Sequence, residues 1–253
     1  MSDLLTSGEK STAISSERDL LLIDELQKLE EAADRNYQWV TEIIAPFLGR
    51  SILEVGSGVG VISKFLVARG DPLILSDHQS GYLTYLRQRF GDAPHVTYQL
   101  LDLHSALYDL GDRTIDTIVC LNVLEHIEGD RRALRGFHDL LPAGGRLLLQ
   151  VPNYPALFGS LDEAYGHFRR YTRRTLAERL TGAGFRVVWM RNFNPLSIPG
   201  WILSAKILRT RRLDTRALRL YNALVPLARR FDFLSRFGGL ALIACAEKRD
   251  AQP

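Results

Sequence analysis

SILEVGSGVG, residues 51–60, changes character at its midpoint, where an apolar run meets three glycines at positions 56, 58 and 60. The first half predicts a short buried strand. The second predicts a sharp turn in which main-chain N–H groups meet a ligand without a Cβ in between. VGVISKFLVARG, residues 59–70, then reads as a helix closed by Gly70, and PLILSD, residues 72–77, as a second strand. Strand, glycine turn, helix and strand make a β-α-β unit with a nucleotide-sized ligand at its turn.

Working outward, SGYLTYLRQRF at 80–90 reads as a helix, HVTYQLLD at 95–102 and TIDTIVCLN at 114–122 as strands, about 129–140 as a helix, and GRLLLQVPN at 145–153 as a strand. FRVVWMRNF at 185–193 and GGLALIACAEK at 238–248 add two more strands. Strands separated by helix-length segments imply an α/β fold, a mostly parallel sheet with helices on both faces. Ahead of it, Leu22, Leu26 and Leu29 on one spacing and Trp39, Ile43 and Phe47 on another predict an N-terminal helical cap within 1–48. The core domain is expected at 49–192 and 238–249, with 193–237 inserted.

The chain has 253 residues and a formal net charge of +3, too small to imply a polyanionic partner. The charge is uneven: residues 1–50 hold ten acids and five bases, whereas 201–236 hold nine bases and two acids. The polar, acid-containing start lacks the basic and apolar blocks of a signal peptide, so a cytoplasmic location is expected. Cys120 and Cys245 sit in apolar runs with no zinc spacing and are expected as buried thiols.

The glycines at 56, 58 and 60, with Glu54 before them and Val61 where a dinucleotide fingerprint needs its third glycine, form E-x-G-x-G-x-G. Here the chain resembles the class I S-adenosylmethionine (SAM) dependent methyltransferases. The resemblance implies a Rossmann-like seven-stranded sheet with an antiparallel last strand, and SAM as cofactor. It assigns Glu54, Gly56, Ser57, Gly58 and Gly60 to the cofactor loop, and Asp77, 17 residues beyond Gly60, to the ribose hydroxyls with His78 beside it. Asp102 would accept from the adenine amino group between Leu101 and Leu103, and Asn122 would lie beneath the methionine part.

Ligands of open α/β sheets bind at the carboxyl ends of the strands, so segments after the fourth and fifth strands should meet the methyl acceptor. YGHFRRYTRRT, residues 165–175, lies there and by composition alone would suit a nucleic-acid surface. DEAYGHFRRYT resembles a subgroup related to quinone and other small-molecule O-methyltransferases. His167 is the expected general base, and His126, Tyr165, Arg169, Arg170 and Tyr171 the expected acceptor contacts. The two arginines would hold a substrate anion or pair with Asp162, Glu163 or Glu178. An E-x-x-E-H metal arrangement exists in some relatives, but Asn122 replaces its first carboxylate, and no metal is expected.

Residues 193–237 interrupt the last two strands. Apolar residues come first and cations follow, and Leu213, Ala217, Leu220 and Leu224 share one helical face. Such a segment suits an anionic membrane, a cap on an apolar acceptor pocket, or a subunit interface. The expected reaction is SN2 methyl transfer to a small or lipid-like acceptor, at a hydroxyl oxygen. An RNA methyltransferase and a catalytically silent SAM-binding module are the rival readings, though LNVLEH lacks the N/D-P-P-Y/F string of many amino-methylating enzymes.

Overall fold

In the computed structural model the described residues are 17–104, 108–212 and 214–249, with side chains not described for 17–26 and 29–31. A long helix α1 (Glu17–Ile44) leads into a sheet of seven strands in the order β3-β2-β1-β4-β5-β7-β6. These are β1 (Ile52–Val55), β2 (Leu73–Asp77), β3 (Val96–Leu100), β4 (Thr117–Leu121), β5 (Arg146–Pro152), β6 (Phe185–Phe193) and β7 (Ala241–Lys248). Strands β1 to β5 pair in parallel, and β7 runs antiparallel to both β5 and β6. This is the Rossmann-like sheet expected from the sequence, with its antiparallel last strand.

Alternation along each strand divides the core in two. Leu53, Ile118, Cys120, Leu147 and Leu149 pack on one face under α4 (Asp130–Leu140) and α6 (Arg173–Gly182), through Leu134, Phe137, Leu176 and Leu180. Ile52, Val119 and Leu148 point the other way, toward Trp39 of α1, Leu66 of α2 (Ser63–Val67), and Leu83 and Leu86 of α3 (Ser80–Phe90). Strands apolar on both sides are what a sheet covered by helices on both faces requires. Both cysteines are free and buried.

The segment between β6 and β7 contains a short α7 (Ile198–Trp201), a π-helical turn (Ile202–Ile207) and α8 (Thr215–Arg230). Asp214 caps α8 by accepting from the Arg216 N–H at 2.8 Å. The helix lies along α1, with Arg35 N–H donating to Asn222 Oδ1 at 2.8 Å, Tyr221 Oη to Asn36 Oδ1 at 3.2 Å, and Arg229 paired with Glu42. Val225 and Ala228 are buried there, whereas the expected stripe of Ala217, Leu220 and Leu224 faces outward. Leu213 is outside the described residues, as are the side chains of Leu22, Leu26 and Leu29. Among the described residues no helix is long and apolar enough to cross a membrane.

Candidate active site

Strand order reverses at β1, whose neighbours β2 and β4 lead to opposite sides of the sheet. The crevice beyond that point is where an open α/β sheet receives a ligand. The glycine loop leaves β1 there. Gly56, Gly58 and Gly60 have φ of +70°, +52° and +87°, left-handed values that an L side chain adopts with strain. A Cβ on Gly56 would sit 2.5 Å from Val123 and one on Gly60 2.9 Å from the Phe90 ring, so these glycines are needed for packing. A Cβ on Gly58 would meet nothing within 4 Å, which leaves an open cradle over the main chain.

Glu54 is buried and supports the loop from beneath: its Oε2 accepts from Ser57 Oγ at 3.2 Å and from Ser63 Oγ at 2.5 Å. Burial pushes its pKa up to about 7, against the lowering effect of those hydroxyls. Asp77, at the end of β2, accepts from Gly58 N–H at 3.0 Å through Oδ2 and from Gln79 N–H at 3.0 Å through Oδ1. Oδ2 keeps a further lone pair for a ribose hydroxyl, whereas Oδ1 also meets His78. His78 Nδ1 lies 3.2 Å from Asp77, and that hydrogen bond raises its pKa. Asp102 is exposed, and its pKa is lowered chiefly by the His104 N–H that it accepts at 2.8 Å. Leu101 and Leu103 are buried in the core, which leaves little of either to meet an adenine ring.

Asn122 follows β4 with a left-handed φ of +55°, its N–H bound to Gln150 O at 2.9 Å and its Oδ1 accepting from Gln150 Nε2 at 3.2 Å. It opens onto a second cavity of about 430 Å³. Glu125, Gln150, Tyr165, His167, Asn194 and Trp201 also line it, with Asn36 and Tyr37 of α1 opposite. Three buried oxygens on this wall have no hydrogen-bond partner among the described residues: Glu125 Oε2, Gln150 Oε1 and Asn194 Oδ1. Unsatisfied buried acceptors are uncommon, and three around one cavity point to a polar ligand. Burial raises the Glu125 pKa to about 8, so its carboxyl is neutral at neutral pH and can also donate.

His167 Nδ1 lies 2.8 Å from Asp162 Oδ1. Asp162 also accepts Arg170 Nε at 2.9 and 3.0 Å and Gly159 N–H at 2.9 Å. Its burial would raise its pKa, but the His167 and Arg170 hydrogen bonds and the Arg170 charge carry it below the ordinary carboxylate value. An ionised Asp162 only accepts, so Nδ1 of His167 carries a proton, and in the neutral ring it is Nε2 that presents the lone pair. His126 stands edge-on to His167 with ring centroids 4.6 Å apart, its pKa lowered to about 4 by burial and then by His167. Glu125, His126 and His167 bring ligand atoms within 4.8 Å of one another, a set that could hold a divalent metal.

Arg169 and Tyr171, expected at the acceptor, are turned to Asp130 and its neighbours instead. Arg169 donates to the carbonyls of Ile127 and Glu128, each at 2.7 Å, and lies 3.3 Å from Asp130. Tyr171 is buried, its hydroxyl on Asp130 at 3.1 Å. Arg170 reaches the cavity wall, but its guanidinium is bound to Asp162 and to Asn153 O at 3.0 Å and stacks on Trp201 at 4.3 Å. Conversely, Glu125 enters the sequence reading only as a metal ligand, and Gln150 and Asn194 not at all. The local signal was Gln150, a polar residue inside the apolar run LLLQVP.

A family model described as "Methyltransferase domain" matches residues 17–189. Among curated proteins the chain is similar to a ubiquinone biosynthesis O-methyltransferase of Azotobacter vinelandii, 24% identical over 51% of this chain and 55% of that one. It is also similar to a probable S-adenosylmethionine-dependent methyltransferase of Mycobacterium tuberculosis, 27% identical over 60% and 54%. The chain thus spans about half the length of these relatives. Among solved structures, an S-adenosylmethionine dependent methyltransferase from Mesorhizobium loti superposes with a TM-score of 0.58 at 17% identity, covering 82% of this chain and 96% of that one. An N-methyltransferase from Bradyrhizobium japonicum in complex with S-adenosyl-L-homocysteine gives 0.55 at 15%, covering 85% and 86%.

Proposed function

This chain belongs to the methyltransferase-domain family of SAM-dependent enzymes, and on that premise we propose that it methylates a hydroxyl oxygen of a small acceptor with an apolar portion. The observation that carries the reading is the Asp162–His167 pair, 2.8 Å apart, opening into a cavity with three unpartnered buried oxygens. The residues suit SAM: Gly58 offers an open cradle, Asp77 Oδ2 has a free lone pair, and Asn122, after β4, lines the second cavity. When bound, SAM supplies a methyl group already activated on a sulfonium.

The protein's own tasks are alignment and proton removal. Asp162 fixes the His167 tautomer, so that Nε2 accepts the hydroxyl proton as the oxygen becomes nucleophilic. Neutral Glu125, with Gln150 and Asn194, offers hydrogen bonds that orient polar groups of the acceptor. Phe193, Trp201, Leu218 and Leu240 line the same cavity and suit an apolar ring or chain. Arg169 and Arg170 are committed within the protein and leave no guanidinium for a phosphate backbone at this cavity, which disfavours RNA as acceptor.

The test is methyl-labelled SAM with separated lipid, small-metabolite and RNA fractions. Label is expected on a hydroxyl of a lipid or small-metabolite component, with turnover reduced by roughly 10²–10⁴ in His167→Ala while S-adenosylhomocysteine affinity is kept. Label confined to RNA, or unchanged turnover in the variant, overturns the reading.

A further inference from the structure

Apart from Leu100, Phe168 and Val188, every exposed large apolar side chain among the described residues lies between residues 196 and 237. They are not scattered. On α8 Leu220, Leu224 and Leu227, and just after it Phe231, follow one another at helical spacing and are 65, 48, 51 and 42% exposed. With Leu196 from the turn after β6, the last three line a shallow groove of about 390 Å³. Ile207 and Leu208, at the end of the π-helical turn, are exposed as well. Soluble surfaces rarely leave so contiguous an apolar strip uncovered.

The rim of the strip is cationic. At 100° per residue, Arg216, Arg219 and Arg230 fall along one flank of the Leu220–Phe231 line, and all three are exposed. None of them forms an ion pair with a described residue. Over 201–236 the nine bases exceed the two acids by seven, and one of those acids, Asp232, is already bound to Arg191 at 2.5 Å. A second copy of this face would repel it, and aliphatic leucines do not stack on nucleic-acid bases. Leucine with flanking arginine is the combination that enters the interface of an anionic bilayer.

We propose that the outer face of α8, with the adjoining 196–208 segment, docks on the surface of an anionic lipid bilayer, its leucines in the headgroup boundary and its arginines on lipid phosphates. The same two segments serve the acceptor cavity and the groove: Asn194 and Leu218 line the cavity, and Leu196 and Tyr221, two and three residues further along, line the groove. Docking therefore sets the cavity beside the lipid, where an amphiphilic acceptor resides. The attachment itself requires neither donor nor acceptor, so its test is separate from that of methyl transfer.

The full chain, without SAM, is floated on a density gradient with vesicles of phosphatidylglycerol and phosphatidylcholine, and in parallel with phosphatidylcholine alone. It is expected to float with the anionic vesicles only and to be released by roughly 0.5 M salt. Leu224→Asp with Leu227→Asp should lower the floated fraction about tenfold, and Arg216→Glu with Arg219→Glu should lower it too, each pair keeping S-adenosylhomocysteine binding. Wild-type protein that stays at the bottom with anionic vesicles, or floats equally with both compositions, overturns the proposal. So does a sedimentation experiment in which the leucine pair abolishes a dimer while flotation is unaffected.

Discussion

Glu125→Gln removes a titrating proton from a side chain that the fold keeps neutral. The carboxyl is only 1% exposed, and burial, its largest influence, takes the pKa from an ordinary 4.5 to about 8. A folded-state pKa above the unfolded one means that the stabilising contribution is whole below about 4.5 and is lost as pH rises through about 8. Within that window each pH unit removes about 1.4 kcal/mol. From about pH 5.5 to about pH 7.5 the native protein therefore loses about 3 kcal/mol through this residue. Glutamine keeps the shape and releases no proton. Urea unfolding of both proteins at those two pH values measures the difference, and Glu54, present in both, cancels from it. The variant's advantage should be larger at the higher pH by about 2–3 kcal/mol. A constant separation between the two proteins across the range would refute a neutral, buried Glu125, and with it the donor that this residue offers to the acceptor.

Two further perturbations address the rest of the site. Gly58→Arg places a side chain at φ +52° and fills the cradle, so calorimetry should find S-adenosylhomocysteine binding abolished, with Asp77→Ala weakening it; undiminished affinity would remove the loop from the cofactor site. Asp162→Asn strands the Arg170 guanidinium, which is about 1% exposed, and should cost about 3–5 kcal/mol in urea unfolding. The Asp162 pKa is lowered in the fold, so the stability it gives is present above the unfolded carboxylate value and is lost as pH falls; Arg170→Met added to Asp162→Asn should recover part of the loss.

Which parts were legible follows from the range of the interactions. The glycine spacing, the strand-helix alternation and the acid ending β2 are encoded within a few neighbouring residues, and local periodicity carries them. The wall of the second cavity is of another kind. Glu125 follows β4, Gln150 lies on β5 and Asn194 follows β6, and only the sheet order brings their orphan oxygens to one cavity.

The arginines show the same division. YGHFRRYTRRT has the composition of a nucleic-acid surface, yet Arg170 is closed on Asp162 and Arg169 on two carbonyls, because burial makes an unpaired guanidinium too costly to leave facing a cavity. On α8 the residue pattern alone shows apolar stripes without ranking them. Helical periodicity gives Leu220 and Leu224 one face and Tyr221, Val225 and Ala228 another, and both are apolar enough to be buried. Packing against α1 chose the second. By itself, then, the sequence determined the sheet's elements, the glycine loop and the cationic character of the insertion, since each rests on neighbours along the chain. Tertiary structure alone decided which polar atoms meet around the second cavity, which arginines are spent on the fold, and which face of α8 is left outside, since each depends on what distant segments bring to the same point.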